Sequence, residues 1–200
     1  MKKRLVLKIF VCIFVFFFAL FSLGSLYTYL ALTPIDISGE SMSPNVLDRE
    51  FGYLDHSKYA INNIKRGQII GFHNDSDEDY FYIKRVIATP LETFYLRSSD
   101  GTIFINEEEI KQDYITNDKK NKTCSSSCYY ADEKITLKEN EYFVLGDNRD
   151  NSFDSAHGLG LVKKENIIGV LKVIMGVCKS ETCSWNERDY RFITDWKYYL

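Results

Sequence analysis

Residues 81–87 read FYIKRVI, a run of aromatic and β-branched side chains that predicts a β-strand. Lys84 stands in the middle of this run, on the strand face that it shares with Tyr82 and Val86. The ordinary interpretation is an edge-strand lysine whose amine extends to water. The alternative is a buried amine among apolar neighbours, whose lowered pKa makes it a base near neutral pH. Lys84 is therefore a candidate general base.

Short apolar runs separated by turn residues recur along the whole chain. They are rich in valine, isoleucine, phenylalanine and tyrosine, and glycine or Asp-Gly turns separate several of them. After the N-terminal segment no long amphipathic helix is predicted. The sequence therefore predicts a mainly β fold, with strands at 51–54, 68–72, 80–87, 93–96, 102–106, 142–145 and 167–177.

Residues 1–33 form a basic end followed by an apolar segment. The four charged residues here are all basic, and residues 9–32 carry no charge. Roughly 20 apolar residues cross a bilayer and cations favour the cytoplasmic side, so we expect a membrane anchor with a cytoplasmic N-terminus. A cleaved secretory signal peptide is the alternative, but its apolar core is only roughly 7–15 residues long. Residues 34–200 are then expected to form one extracytoplasmic domain.

The expected extracytoplasmic domain is mildly acidic. The chain has 25 basic and 28 acidic residues, and four of the basic ones belong to the N-terminal segment. About seven net negative charges therefore remain on the rest of the chain. Nucleic-acid binding needs a basic patch that neutralises phosphates, and none is evident in the sequence. We expect no nucleic-acid partner.

Four of the five cysteines form two close pairs, Cys124 with Cys128 and Cys178 with Cys183. An extracytoplasmic compartment is oxidising, so two local disulfides are the preferred prediction. Cross-pairing between the two and a four-cysteine zinc site are the alternatives, although the spacings are wider than the usual zinc-site gap. The first pair lies in a polar segment, residues 111–134, which we interpret as a loop or a small insertion.

Ser41 is the candidate nucleophile that accompanies Lys84. It lies in the sequence SGESMSP at residues 38–44, shortly after the apolar segment. A serine hydroxyl needs a base within hydrogen-bond reach, and none of the three histidines stands in a context that suggests a Ser-His-Asp set. A lysine can replace histidine if its pKa falls by roughly 2–3 units. The sequence thus favours a pair formed by Ser41 and Lys84.

A third motif, GDNRDNSFDS at residues 146–155, follows a predicted strand. It lacks the acidic spacing and the central glycine of a calcium-binding loop. An ordinary polar turn is one interpretation. The density of directional hydrogen-bonding groups favours another, a rigid loop that orients other residues.

Four segments, taken in order, resemble the motifs of bacterial type I signal peptidases, which are membrane-anchored serine proteases with a Ser/Lys dyad. They are residues 39–44 (GESMSP), 66–72 (RGQIIGF), 82–86 (YIKRV) and 146–155. The first is weak alone and the last is highly specific, and the resemblance extends, in order, over nearly the whole chain. The resemblance implies an endopeptidase that removes N-terminal signal peptides from exported proteins after small-x-small sites. It also implies an antiparallel β-sheet catalytic domain behind one transmembrane helix.

The resemblance further implies the roles of individual residues. Ser41 would attack the scissile carbonyl and donate one oxyanion hydrogen bond through its N–H, with Lys84 as general base. Ser152 would orient the lysine amine, and Asp147 would pair with Arg85. The residues matching two apolar pockets for substrate side chains at positions −1 and −3 are Ile35, Ile37, Met42, Val46, Tyr82 and Ile83.

Two departures from the family pattern affect the supporting residues. Gly39 stands where some members have a serine that supplies a second oxyanion donor, which leaves that donor unidentified. Ala156 stands where the family has an arginine, so Asp154 lacks its usual cation. His157 and Arg149 are candidate replacements. We predict that protonated His157 pairs with Asp154, because it is adjacent in sequence.

Two other functions are consistent with the same sequence. One is a specialised relative that processes pilins or other substrates of a conjugation or secretion system. The other is a catalytically silent, membrane-anchored binding protein, against which the intact Ser41, Lys84 and Ser152 argue. The expected partners are signal peptides of exported preproteins and the lipid bilayer. No cofactor or metal is expected.

Overall fold

The computed structural model describes residues 2–75, 77–124, 128–180, 183 and 188–190. Its helices are α1 (Lys2–Ala31), α2 (Lys58–Asn62) and α3 (Asn117–Asn121), with a 3-10 helix at Lys164–Asn166. Its first six strands are β1 (Leu32–Asp36), β2 (Glu50–Asp55), β3 (Ile69–Asn74), β4 (Asp77–Ala88), β5 (Thr93–Leu96) and β6 (Ile103–Ile105). The other six are β7 (Glu108–Glu109), β8 (Lys134–Thr136), β9 (Glu141–Leu145), β10 (Val162–Lys163), β11 (Ile167–Cys178) and β12 (Arg188–Tyr190).

Helix α1 agrees with the predicted membrane anchor. Within the described part of the chain it is the one helix long and apolar enough to cross a membrane, over Val6–Ala31. Its large apolar side chains are exposed, as they would be to lipid. The helix passes directly into β1, and the Ala31 carbonyl accepts a hydrogen bond of 2.9 Å from the His56 N–H. The β domain is therefore attached at the very end of the helix.

The main sheet has eight strands and is antiparallel throughout. Its order is β1-β2-β11-β3-β4-β9-β10, and β12 pairs with β11. Strand β4 is hydrogen-bonded to β3 on one side and to β9 on the other, and Lys84 pairs with Ile70. An inner strand between two partners is buried on its edges, which removes the edge-strand interpretation of Lys84.

A second, four-stranded antiparallel sheet has the order β7-β6-β5-β8. It packs on the main sheet through an apolar cluster in which the rings of Phe94, on β5, and Phe143, on β9, stack with centroids 4.2 Å apart. Two further clusters fill the main sheet, one of them next to Ser41 and Lys84. The small sheet thus supports the strand that leads into residues 146–155.

All seven predicted strands are present, with ends that differ by at most three residues. The largest difference is at β4, which begins at Asp77, three residues before the predicted start. Strand β1 was not predicted, since its apolar start merges with the end of the helix. The shortest strands, such as β7, β8 and β10, are too brief to produce an alternating pattern.

Candidate active site

Ser41 lies in the loop that joins β1 to β2. Two apolar side chains, Met42 and Val46, are buried and fix this loop to the core. The Val46 N–H donates to the Met42 carbonyl at 3.0 Å, which closes a turn immediately after the serine. The Ser41 N–H has no acceptor among the residues that the structure describes. It is free to donate to a group that enters from solvent.

Gly39 shapes the same loop. Its φ of +97° lies in a region that residues with side chains rarely adopt. Its N–H donates to the Asp48 carboxylate at 2.7 Å and is not available to a substrate oxygen. The structure therefore gives Gly39 a conformational role, and within the described residues it identifies no second oxyanion donor.

Lys84 reaches Ser41 across the cleft between the β1–β2 loop and β4. The Lys84 Nζ donates to the Ser41 Oγ at 2.7 Å and to the Ile83 carbonyl at 2.9 Å. The lysine is only 3% exposed, and its Nζ lies 6.0 Å from the centre of the Tyr82 ring. Two residues 43 positions apart in sequence are thus in direct contact.

Burial lowers the pKa of the Lys84 amine to about 8. The cause is loss of water around the charged form, which outweighs the opposing attraction of the Asp154 and Asp147 carboxylates. A substantial fraction of the amine is therefore neutral near physiological pH, when its lone pair can accept a proton.

The 146–155 loop joins β9 to the segment that precedes β10 and packs against the serine loop. The Asn148 N–H donates to the Ser41 carbonyl at 3.0 Å, and the Asn148 Nδ2 donates to the Glu40 carbonyl at 3.1 Å. Gly146 sits beside the same peptide: a Cβ there would lie 2.5 Å from the Ser41 carbonyl oxygen and 2.1 Å from the Ser152 Oγ. Only glycine permits this close approach.

Asp147 and Arg85 form a buried, two-pronged ion pair. The Arg85 Nε donates to Oδ1 of Asp147 at 2.8 Å, and its Nη2 donates to Oδ2 at 2.6 Å. The Asn45 Nδ2 donates to the same carboxylate at 2.8 Å. Since Arg85 follows Lys84 on β4 and Asn45 belongs to the serine loop, Asp147 joins all three segments of the site.

Asp154 is fully buried and pairs with His157. The His157 Nδ1 lies 3.0 Å from Asp154 Oδ1, as the sequence analysis predicted for this pair, and His157 is a cation beside this carboxylate when it is protonated. The Ala156 N–H donates to Oδ1 at 3.1 Å, and the Gly146 N–H donates to Oδ2 at 2.9 Å. The hydrogen bond to Asp154 raises the pKa of His157 above 6.5. Arg149, the other candidate cation, has different partners.

Ser152 differs from the sequence prediction. Its Oγ is buried, but it has no hydrogen-bond partner among the described residues, so the expected bond to the Lys84 amine is not formed. The hydroxyl packs instead against Gly146, next to the Ser41 peptide. The Lys84 amine uses the Ile83 carbonyl as its second acceptor. Ser152 therefore lies in the site without orienting the base in this structure.

The residues predicted to line the substrate pockets fall into two groups. Ile37, Tyr82 and Ile83 line a cleft of about 460 Å³ that also contains Ser41 and Lys84. Met42 and Val46 are buried in an apolar cluster with Ile37 and Ile83, and Ile35 packs against it. Met42, Val46 and Ile35 therefore do not line the cleft but pack beneath Ile37 and Ile83, which do. Phe153 and Tyr80, which the sequence did not single out, also line the cleft.

Sequence reasoning missed the role of Arg149. Its buried guanidinium donates to the Gly146 carbonyl at 2.9 Å, to the Thr123 Oγ1 at 2.7 Å and to the Gln112 Oε1 at 2.7 Å. Thr123 and Gln112 belong to the polar segment 111–134, and Lys119 of that segment donates to the Asn148 Oδ1 at 2.8 Å. The segment therefore packs against the 146–155 loop and supports it. The segment is largely polar, so its sequence contained no sign of these contacts.

Both predicted local disulfides are confirmed. Cys124 is bonded to Cys128, and Cys178 is bonded to Cys183. These bonds remove the cross-paired and zinc-bound alternatives. Cys12 is a free cysteine on the exposed surface of α1. The first disulfide closes the chain directly after Thr123.

The chain is similar in sequence to proteins of a known family. The family described as signal peptidase, peptidase S26, matches residues 6–176. Signal peptidase I of Bacillus amyloliquefaciens is 33% identical over 143 residues, 70% of this chain and 74% of that protein. Signal peptidase I T of Bacillus subtilis (strain 168) is 31% identical over 153 residues, 76% of this chain and 78% of that protein.

Among solved structures, a signal peptidase I from Enterococcus faecalis V583 is 32% identical. The structural match covers 55% of this chain and 97% of the Enterococcus faecalis chain, with a TM-score of 0.43. The match to residues 6–176 extends from the anchor helix to the last long strand. The chain belongs to the signal peptidase family, peptidase S26, and is accordingly a serine peptidase of the signal peptidase I type.

Proposed function

We propose that the chain is a membrane-bound endopeptidase that cleaves signal peptides from exported proteins, with Ser41 as nucleophile and Lys84 as general base. The observation that carries the proposal is the 2.7 Å contact between the Lys84 Nζ and the Ser41 Oγ in a water-poor site. Family membership supports the class of substrate.

The reaction begins with a neutral Lys84. Its amine donates one hydrogen bond to the Ile83 carbonyl, which leaves the lone pair directed at Ser41. As the Ser41 Oγ attacks the scissile carbonyl carbon, its proton passes to the Lys84 Nζ. The new oxyanion accepts a hydrogen bond from the Ser41 N–H. Loss of the amine, protonated by Lys84, leaves an ester on Ser41.

A water molecule completes the cycle. Lys84, again neutral, removes its proton while the water oxygen attacks the ester carbonyl, and Ser41 recovers its hydroxyl as the product acid leaves. Asp147 with Arg85, and Asn148 with the Ser41 carbonyl, hold the two reacting side chains in register throughout. A correctly held geometry is worth several orders of magnitude in rate.

Substrate and membrane orientation complete the proposal. The cleft is lined by Ile37, Tyr82 and Ile83, which suits small apolar side chains at positions −1 and −3. The basic residues in the first turns of α1 favour a cytoplasmic N-terminus, and the β domain then lies outside, where a translocated cleavage site emerges. Attachment at Ala31 keeps the cleft close to the bilayer surface.

The test is cleavage of a reporter preprotein with an Ala-x-Ala site by the full-length chain in detergent micelles. We expect Ser41→Ala to abolish cleavage. Ser43→Ala, two residues further along the same loop, should retain it and serves as the matched control. Equal activity of both variants would overturn the assignment of the nucleophile. Absence of cleavage by the wild type would favour a silent binding protein.

Complementation separates general from specialised processing. A strain depleted of its housekeeping signal peptidase should grow when it expresses this chain, and it should not grow with the Ser41→Ala variant. Failure to rescue by a chain that cleaves the reporter in micelles would point to a dedicated substrate of a conjugation or secretion system.

A further inference from the structure

Asp154 is a fully buried acid beside the site. Its two oxygens accept hydrogen bonds from the Gly146 N–H, the Ala156 N–H and the His157 imidazole. The carboxylate is fully buried, whereas the imidazole is 15% exposed. Solvent protons can therefore reach His157 but not Asp154.

The imidazole is held on its other side by the polar segment 111–134. It hydrogen-bonds the main chain of Thr123, a contact that favours the protonated ring. Two charged groups face it: Asp154 stabilises the imidazolium, and Arg149 opposes it. The contact with Asp154 is the largest of these influences, so the protonated ring is favoured overall.

Asp154 also connects to both reacting residues. The carboxylate of Asp154 accepts a hydrogen bond from the Gly146 N–H and so holds Gly146 in place. Gly146 packs so closely against the Ser41 carbonyl that there is no room for a Cβ. Its negative charge attracts the protonated Lys84 amine and works against the burial that makes this amine neutral. A cation at Asp154 weakens that attraction, because opposite charges compensate each other's field in a poorly solvated site.

We propose that His157 is a positioning residue that acts on the reaction through Asp154. Its imidazolium compensates the buried carboxylate, and so helps Lys84 to release its proton while Gly146 stays in place. The inference rests on the proposed role of Lys84. In this chain a titratable histidine, His157, takes the place that an arginine has in the family pattern. Activity is therefore expected to depend on the protonation of His157 as well as on that of Lys84.

The effect of His157 on proton release by Lys84 depends on pH. Below the pKa of His157 the ring is charged, Asp154 is compensated and Lys84 releases its proton more readily. As pH rises through the pKa of His157, the compensation is lost; well above the Lys84 pKa of about 8 the amine is neutral with or without it. A His157→Gln variant, which keeps a hydrogen-bond donor and carries no charge, should therefore be impaired mainly on the acid side.

The experiment compares kcat/KM of the full-length wild type and His157→Gln in micelles from pH 6 to pH 9.5. The ratio of wild type to variant is expected to be about 3–10 near pH 6.5 and within about twofold of one above pH 9, equivalent to a Lys84 pKa shift of about 0.5–1 unit. His157→Lys, which restores a cation, should recover the acid-side activity. His56→Gln, an exposed histidine, is the matched control and should give a ratio near one at every pH.

A second readout does not depend on cleavage. The pH dependence of Lys84 modification by an amine-directed reagent, followed by mass spectrometry, should have its midpoint at higher pH in His157→Gln than in the wild type. If the glutamine variant does not fold, His157→Lys against wild type carries the comparison, with a midpoint at lower pH expected for the lysine variant.

The outcomes distinguish this inference from the function on which it rests. A ratio that is constant with pH, together with an unchanged Lys84 midpoint, would overturn the role of His157 and leave the peptidase intact. A shifted midpoint in a protein that cleaves no reporter would overturn the proposed function and leave the coupling of His157 to Lys84 standing.

Discussion

Lys84 is held in a position that costs stability. Its pKa is about 8 in the folded protein and 10.5 in an ordinary environment, so the unfolded chain binds its proton more tightly. Below pH 8 the full penalty applies, and it is relieved as pH rises from about 8 to 10.5. A difference of this size corresponds to about 3 kcal/mol, as an order of magnitude. The buried base of the active site thus lowers the free energy of unfolding.

Lys84→Met tests this cost at the residue that bears it. The thioether side chain has a similar length and carries no charge, so we expect the variant to be inactive yet more stable. The free energy of unfolding at pH 7 should rise by about 1–2 kcal/mol, less than the full penalty because the Ile83 carbonyl loses a donor.

Chemical denaturation at pH 7 and pH 9.5 measures the effect, and the advantage of the variant should shrink at the higher pH. Lys172→Met, at an exposed position on β11, is the control and should change neither stability nor activity. A Lys84→Met protein less stable than wild type at pH 7 would mean that burial of the amine carries no net cost.

Asp147→Asn should destabilise the fold through Arg85. The amide cannot balance the buried guanidinium, and breaking a buried ion pair by removing one partner costs about 3–5 kcal/mol. Denaturant titration gives the loss in free energy of unfolding. Asp150 lies in the same loop as Asp147 and forms a partly exposed ion pair with Lys119. Asp150→Asn should therefore lower the free energy of unfolding by less than about 1 kcal/mol. Similar losses in the two variants would contradict the structural role of Asp147.

At the scale of single residues, the sequence was most informative where chemistry is unusual. A serine in a short turn and a lysine within an apolar strand are rare enough to be recognised, and the structure brings them into contact. The partners of Arg149 could not be predicted, because Thr123 and Gln112 stand in a polar segment without periodicity. The state of Ser152 depends on side-chain packing at Gly146, which no sequence pattern encodes.

At the scale of elements, the β4 strand and the 146–155 loop are positioned by each other. Strand β9 pairs with β4 with Arg85 opposite Leu145, so the loop that follows β9 starts next to the base. The loop then returns to the serine through Asn148. The predicted strands gave both elements, but their adjacency depends on strand order, which the spacing of apolar runs does not determine.

Gly146→Ala tests how closely the loop must approach the serine. The added Cβ would lie 2.5 Å from the Ser41 carbonyl oxygen, so the serine loop must move. We expect kcat/KM to fall by about 100-fold or more, since small displacements of catalytic groups have such effects. Combining it with Ser152→Ala should not restore activity, because the backbone contact with Ser41 remains.

Gly24→Ala provides the matched control, as a Cβ there meets nothing within 4 Å and alanine favours a helix. Its activity should equal that of the wild type. A Gly146→Ala enzyme with wild-type kcat/KM would show that the loop and the serine do not need this contact.

At the scale of the whole molecule, the anchor and the β domain meet at one point. Besides the direct connection to β1, two hydrogen bonds join the end of α1 to the later chain, one from the His56 N–H to the Ala31 carbonyl and one from the Tyr27 hydroxyl to the Asp55 carboxylate. The buried members of all four apolar clusters lie between Ile37 and Cys183. The described part of the β domain therefore has its own apolar core, which contains no residue of α1.

Removal of residues 1–31 should separate folding and chemistry from membrane delivery. The remaining chain is expected to keep its sheet and to cleave a soluble Ala-x-Ala peptide within about threefold of the full-length rate. Cleavage of a preprotein embedded in vesicles should fall at least about 10-fold, because the anchor no longer raises the local concentration of enzyme at the bilayer. Equal rates on the vesicle substrate would contradict a role of α1 in delivery.

The dependence of kcat/KM on pH for the full-length chain tests the Ser41–Lys84 reaction most directly, since it reports the pKa of the base in the free enzyme. Measured on the Ala-x-Ala reporter from pH 5 to pH 10, activity should rise with pH to a plateau, with a midpoint near the Lys84 pKa of about 8. It should vanish in both Ser41→Ala and Lys84→Met. A profile governed by a group near pH 6.5 that persists in Lys84→Met would contradict the assignment of Lys84 as the base.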